Sequence, residues 1–262
     1  MNINLMDGAM GTVISDVYKL EGECREKFNV IYPNIIEEIH ERYIQSGSDY
    51  IKANTFNCSK ESLKYYGENP ENSYQYAFEG ARIAKKVAMK YGVKSIGTFC
   101  IGDKDQIEGI IDGGIDIILL ETIYDLNKGI ESLEILQEIL KNKGVSKNIM
   151  ISFTTDEDGR LFSGEYVIDI FEKFIKSDVV SIGINCSYSK KKIKKILKLF
   201  REKTKLLVSF HPNIKDDEEE IFEIIGELIE DRVVDVLGGC CRTEFDYIKK
   251  LKTIIDGVPD EI

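Results

Sequence analysis

The chain has 262 residues, 43% of them apolar, which is enough for one large core and excludes a disordered or fibrous polymer. Its 35 basic and 46 acidic side chains leave a net charge of −11, which excludes a general binder of phosphate backbones, so no nucleic-acid partner is expected. No apolar run approaches the roughly 20 residues of a membrane helix, and residues 1–7 lack the basic segment and long apolar core of an export signal. A cytoplasmic protein with no membrane partner is therefore expected. Its six cysteines then point to a reducing compartment, where thiols bind metal or do chemistry.

In chain order, residues 3–6 read as a short strand, and Asp7-Gly-Ala-Met-Gly-Thr12 as a glycine-punctuated loop. Apolar residues at 35, 36, 39 and 43 predict a helix over 35–45, with Asn34 as its N-cap and Gly47 stopping it. Strand 49–54 follows, then Thr55-Phe-Asn-Cys58. Ala77, Ala81, Ala84 and Ala88 form one stripe of a helix over 73–90 that Gly92 ends. Apolar runs at 93–99, 115–120, 148–154, 179–185, 206–210 and 233–237 read as strands. Helices are predicted after them over 106–112, 127–141, 166–175, 190–201, 218–229 and 244–255, and the basic run Lys190-Lys-Lys-Ile-Lys-Lys195 is the solvated face of one of these. Short continuous apolar runs suit strands buried on both faces of a parallel sheet. Eight strand–helix pairs predict an α/β chain forming one (β/α)8 TIM barrel across residues 1–262, with a doubly wound open sheet as the alternative.

In such a barrel the chemistry lies where strands end. Those positions are Asp7, Asn54-Thr55, Cys100, Glu121-Thr122, Thr154-Thr155, Asn185-Cys186, His211 and Cys240-Cys241. Adjacent cysteines close a disulfide with each other only under strain. Thiolates suit zinc, which takes three or four ligands in a tetrahedron. Gly238-Gly239 permit the turn that would aim both sulfurs of Cys240 and Cys241 at one ion, and Cys186 in Gly183-Ile-Asn-Cys186 is the candidate third ligand. The alternative is a set of buried, inert cysteines. Cys58 and Cys100 are candidates either for spare ligands or for plain core thiols, and Cys24 has no evident role. Glu121 follows an apolar run directly, so it needs a cation or hydrogen bonds there; Asp7 is either a ligand-binding group or a solvated cap.

Asp-Gly-Ala-Met-Gly-Thr (7–12), Asn-Thr-Phe (54–56), Leu-Glu-Thr (120–122), Gly-Ile-Asn-Cys (183–186) and Gly-Gly-Cys-Cys-Arg-Thr (238–243) stand in the order of the homocysteine S-methyltransferase family, which the chain resembles over nearly its whole length. That family includes the homocysteine-binding module of cobalamin-dependent methionine synthase and betaine–homocysteine methyltransferase. The resemblance implies a barrel with one zinc held by Cys186, Cys240 and Cys241. It implies that Asp7 and Glu121 hold the ammonium of homocysteine, with backbone N–H groups of Gly8, Ala9, Met10 and Gly11 near its carboxylate. Asn54, Thr55 and Asn185 complete the expected acceptor site. The chain departs from the family where Arg242 replaces a usual glycine and where a short Phe99-Cys-Ile-Gly102 stands for a longer loop. It departs again where His211-Pro-Asn213 leads into the acidic 215–220. Those loops frame the donor side of the mouth.

The activity implied is methionine biosynthesis. Zinc binding deprotonates a thiol that is mostly protonated when free, and the homocysteine thiolate then attacks a methyl donor. The chain is too short to add folate- and cobalamin-binding modules to the barrel, so methylcobalamin or methyltetrahydrofolate would come through separate corrinoid and pterin-binding partners. The alternatives are a small free donor, S-methylmethionine or betaine, and a non-catalytic zinc- and homocysteine-binding subunit.

Overall fold

Strands that are apolar on both faces can pair only where helices cover the sheet on the outside and side chains fill it on the inside. In the computed structural model, which describes residues 3–187, 190–214 and 218–257, eight such strands form. They are β1 (Asn4–Leu5), β2 (Tyr50–Lys52), β3 (Lys94–Phe99), β4 (Ile117–Ile123), β5 (Asn148–Phe153), β6 (Val179–Asn185), β7 (Leu207–His211) and β8 (Val236–Leu237). All neighbours are parallel, and β1 pairs with β8 as well as lying next to β2. The ring closes between β1 and β2 through one Met6–Tyr50 bridge. The Asp49 amide, donating to the Leu5 carbonyl at 2.7 Å, and the Asp7 amide, donating to the Tyr50 carbonyl at 3.0 Å, reinforce it. The fold is a (β/α)8 barrel, and the open sheet is set aside.

The outer layer follows from amphipathic periodicity. Helix Ser73–Tyr91 buries Ala77, Ala81, Ala84 and Ala88, and it ends on Gly92 at φ 72°, a left-handed position that glycine adopts without strain. Helix Leu126–Lys143 starts where the Asp125 carboxylate accepts from the Lys128 amide at 3.0 Å. No helix among the described residues is long and apolar enough to cross a membrane.

Several predicted elements differ. Helix Pro33–Gln45 has Tyr32 at its N-cap and Pro33 at its first position, so Asn34 lies inside the helix and does not cap it. The loop expected over 7–12 holds only to residue 9: Met10–Thr12 is helical, and a π-turn at Val13–Val17 continues it. The helix expected over 166–175 splits into Val167–Ile170 and a 3-10 turn at Phe171–Phe174. β8 is shorter than 233–237 because the Asp235 carboxylate takes the Val208 amide at 2.8 Å, so ladder pairing with β7 begins one residue later. The short helices Phe28–Ile31 and Lys60–Tyr65 had no clear periodic signal. Residues 215–217 of the acidic run lie outside the described residues.

The interior of the barrel is layered. Met6, Ile96, Leu119, Met150 and Val236 form a small apolar cluster of their own, separate from the large core between sheet and helices. Side chains two residues apart on a strand share a face. Two steps beyond these five stand Gly8, Thr98, Glu121, Ser152 and Gly238, and two steps beyond Tyr50, which packs against the cluster, stands Lys52. An apolar plug is thus capped by a polar layer at the end of the barrel where the strands finish.

Candidate metal and amino-acid site

Above that polar layer the chain brings three cysteines together. Cys186 follows β6, and Cys240 and Cys241 follow β8. Their sulfurs all lie within 4.8 Å of one another. Cys186 and Cys240 are joined as a disulfide, with Cα atoms 6.0 Å apart, and the Cys241 Sγ lies 3.7 Å from the Cys186 Sγ. This pairing was not foreseen from the sequence. A disulfide sulfur has no thiolate charge to give a cation, so this is the oxidised arrangement of the cluster. Once reduced, the three sulfurs make a donor set suited to a soft tetrahedral ion with one position left over, so the residues present fit a metal.

The backbone that aims these sulfurs differs from expectation. Gly238 and Gly239 are not in the left-handed region; Cys186 at φ 49° and Arg242 at φ 64° are. The two glycines serve close approach instead. A Cβ on Gly239 would lie 2.1 Å from the Thr243 hydroxyl, and one on Gly238 would lie 2.8 Å from the Met6 Cβ. Thr122 is also left-handed at φ 60° and is held there by Asn185. The Asn185 Oδ1 accepts from the Thr122 amide at 3.0 Å, and its Nδ2 donates to the Thr122 hydroxyl at 2.7 Å and to the Cys240 sulfur at 3.8 Å. Asn185 thus spends its amide on the frame of the sulfur cluster.

Beside the cysteines lies a cavity of about 400 Å³, into which Gly8, Ala9, Met10, Asn54, Thr55 and Glu121 face. Asp7 does not line it but is buried next to Gly8 and Lys52, which do. Its Oδ2 accepts from the Lys52 amide at 2.8 Å, while its Oδ1 has no hydrogen-bond partner and lies 3.8 Å from the Lys52 ammonium. Burial pushes the Asp7 carboxyl up to about 7, the Lys52 cation and amide pull it back, and Glu121 adds a smaller upward push. Glu121 is likewise raised by burial, against the pull of Lys52 and the Thr98 hydroxyl. Asn54 and Thr55 have structural partners: Asn54 donates to the Arg25 carbonyl at 3.0 Å and to Asn29 at 2.9 Å, and the Thr55 hydroxyl donates to the Thr98 carbonyl at 2.8 Å.

The remaining cysteines stand apart from the cluster. Cys100 donates to the Thr122 carbonyl at 3.2 Å, and burial pushes its thiol up to about 12. Cys58 is fully buried, and so is Cys24, whose sulfur lies 3.7 Å from the buried Glu26 carboxylate. His211 is buried at the end of β7 with no partner on either nitrogen, and burial, helped by the Lys52 cation, holds it neutral. Sequence reasoning missed Lys52, Arg25, Glu26 and Tyr66, which also line the cavity. A lysine between Ile51 and Ala53 in a buried strand was a signal for the first. The others come from loops and short helices with no periodic pattern.

A parallel (β/α)8 barrel with three converging cysteines and buried carboxylates at its mouth defines a thiol- or metal-handling enzyme of the TIM-barrel class. The model of the homocysteine S-methyltransferase family matches residues 4–255. The chain therefore belongs to the homocysteine S-methyltransferase family and is a methyltransferase acting on homocysteine. Among solved structures it is similar to the homocysteine methyltransferase MmuM from Escherichia coli. The metallated form of that protein matches at TM-score 0.78 and 20% identity, over 97% of this chain and 96% of that one. The oxidised form matches at TM-score 0.78 and 19% identity with the same coverage. At these identities the likeness speaks for the fold. A dihydrodipicolinate synthase-type barrel, DHDPS from Cyanidioschyzon merolae, matches more loosely, at TM-score 0.55 and 11% identity over 97% of this chain and 74% of that one.

Proposed function

We propose that the chain makes methionine at a zinc ion held by Cys186, Cys240 and Cys241. Asp7 and Glu121 receive the ammonium of homocysteine, and the backbone N–H groups of residues 8–11 face its carboxylate. The observation that carries the reading is the convergence of three sulfurs from distant parts of the chain beside a cavity sized for an amino acid. Zinc bound there would deprotonate and orient the acceptor thiol. The protein residues do the rest. Asn185 steadies Cys240 and the strained Thr122. The partnerless Asp7 Oδ1 offers an acceptor to the ammonium. In the transfer itself the sulfur–methyl bond forms as the donor–methyl bond breaks, and the donor leaves with the electron pair.

A methyl donor has room in a second cleft of about 380 Å³ that shares Phe56, Asn57, Tyr66 and Thr122 with the acceptor cavity. The exposed Tyr65 at the wall of this cleft supports delivery of methylcobalamin or a methylfolate by separate corrinoid and pterin-binding proteins. The tyrosines of the cleft itself, Tyr65, Tyr66 and Tyr124, support a second reading. Aromatic rings at the wall suit a small donor that carries an onium group, such as S-methylmethionine or betaine. The deciding experiment follows methionine formation by reduced, zinc-loaded protein with S-methylmethionine, betaine, free methylcobalamin and a methylated corrinoid protein in turn. Turnover with one donor class selects between the two readings. Tight homocysteine binding with no turnover under any donor would replace both with a non-catalytic binding subunit. Cys240→Ala is expected to abolish zinc binding and turnover while leaving the circular dichroism unchanged; full activity of that variant in metal-free buffer contradicts the reading.

A further inference from the structure

Lys52 is an unusual residue for its place. It stands in the polar layer two steps above the apolar plug, in a strand with buried neighbours, and only 9% of it is exposed. An ammonium group has three N–H donors. One goes to the Gly239 carbonyl at 2.8 Å; the Asp7 Oδ1 at 3.8 Å is an ion pair too long for a hydrogen bond. The other donors have no acceptor among the described residues, and Lys52 lies at the wall of the acceptor cavity. Across from them the buried Asp7 Oδ1 also lacks a hydrogen-bond partner. A buried charge with unspent hydrogen-bonding capacity is costly unless a ligand satisfies it. The cavity wall therefore carries a cation with unspent donors, and behind it lies a carboxylate oxygen held only by a loose ion pair, beside the loop that carries Cys240 and Cys241.

We propose that Lys52 is a specificity-determining residue that pairs with the α-carboxylate of the acceptor, while Asp7 and Glu121 take its α-ammonium, so that the site selects a zwitterionic amino-acid thiol over thiols carrying only one of the two charges. The assignment rests on the homocysteine reading above and adds a side-chain anchor to the backbone N–H groups of residues 8–11. The charge balance favours it. Lys52 alone offsets one of the two carboxylates, and a zwitterion fills the site without adding net charge. A lysine serving only as a strut for the Gly239 carbonyl would be indifferent to the ligand's carboxylate.

The test is calorimetric binding to reduced, zinc-loaded protein, which needs no methyl donor. The ligands are L-homocysteine, 3-aminopropane-1-thiol, which lacks the carboxylate, and 4-sulfanylbutanoate, which lacks the ammonium. The wild type is expected to bind homocysteine more tightly than either analogue. Lys52→Met is expected to keep its zinc stoichiometry, to weaken homocysteine binding roughly 10- to 100-fold, as loss of a charged hydrogen bond does, and to leave 3-aminopropane-1-thiol unchanged or tighter. Lys52→Arg, which keeps the cation, is expected to retain part of the preference. Equal weakening of homocysteine and 3-aminopropane-1-thiol by Lys52→Met, or none of either, overturns the role of Lys52 alone. A wild type that binds homocysteine no better than 3-aminopropane-1-thiol overturns it without recourse to any variant. Zinc-loaded wild type that binds none of the three thiols removes the parent reading, and this inference goes with it.

Discussion

Arg242 is one of the residues at which backbone conformation and side chain disagree. Its φ of 64° lies in the left-handed region, where a Cβ crowds the following carbonyl at a cost of about 1–2 kcal/mol. A glycine at this point would take that angle without strain. Arg242→Gly is expected to raise stability by up to about 1 kcal/mol, read as a higher denaturant midpoint with unchanged slope. Gly8 shows the opposite constraint. A Cβ there would lie 2.2 Å from the Thr243 carbonyl oxygen, which is backbone and cannot step aside. Gly8→Ala is expected to cost about 1–3 kcal/mol by overpacking and, by prising the first loop from the cysteine loop, to weaken homocysteine binding in the same titration. At this scale the cysteines were legible in the sequence because neighbouring thiols at a strand end have few structural uses. Lys52 carried only the signal of a cation between apolar neighbours, because a three-residue strand gives too little alternation to show which face a side chain takes. Asn54, Thr55 and Asn185 were legible as strand-end polar residues, but no sequence pattern tells that their amides and hydroxyls are spent on neighbouring loops and strands.

Among the elements, helix Pro33–Gln45 carries a pH-dependent weakness. His40 lies on its buried face with no partner on either ring nitrogen, and burial alone lowers its folded-state value to about 3 from an ordinary 6.5. The folded chain therefore binds fewer protons than the unfolded chain between those values. Stability attributable to His40 is complete above about 6.5 and drains away as the pH falls toward 3. His40→Leu removes a buried polar group without a partner, worth roughly 1–3 kcal/mol. The substitution is expected to raise the melting temperature at both pH 8 and pH 5, by more at pH 5; an equal rise at the two pH values would contradict this account. Element boundaries were legible where a helix carries its own signals, as at Asp125 and Gly92. They were not where tertiary bonds decide, as in β8, whose start is set by the Asp235 carboxylate.

For the molecule as a whole, the alternation of short apolar runs with amphipathic helices made the barrel legible, because eight parallel strands have no wet face. Closure between β1 and β2 was not legible, since it rests on one bridge and a few amide bonds, two of them to the Asp49 and Asp7 carboxylates, between segments some 44 positions apart. The pairing of β1 with β8 on its other side places residues 7–12 against residues 238–243, and the two segments together wall the acceptor cavity. The sulfur cluster links β6 to β8 in the same way, so oxidation and metal loading compete for Cys186 and Cys240. Zinc uptake is expected to require prior reduction and to be blocked by a thiol oxidant. The most direct measurement is zinc-edge X-ray absorption on reduced, zinc-loaded protein before and after adding homocysteine. The account predicts three sulfur neighbours without the acceptor and four with it; fewer than three at the outset, or no gain on adding homocysteine, would contradict it.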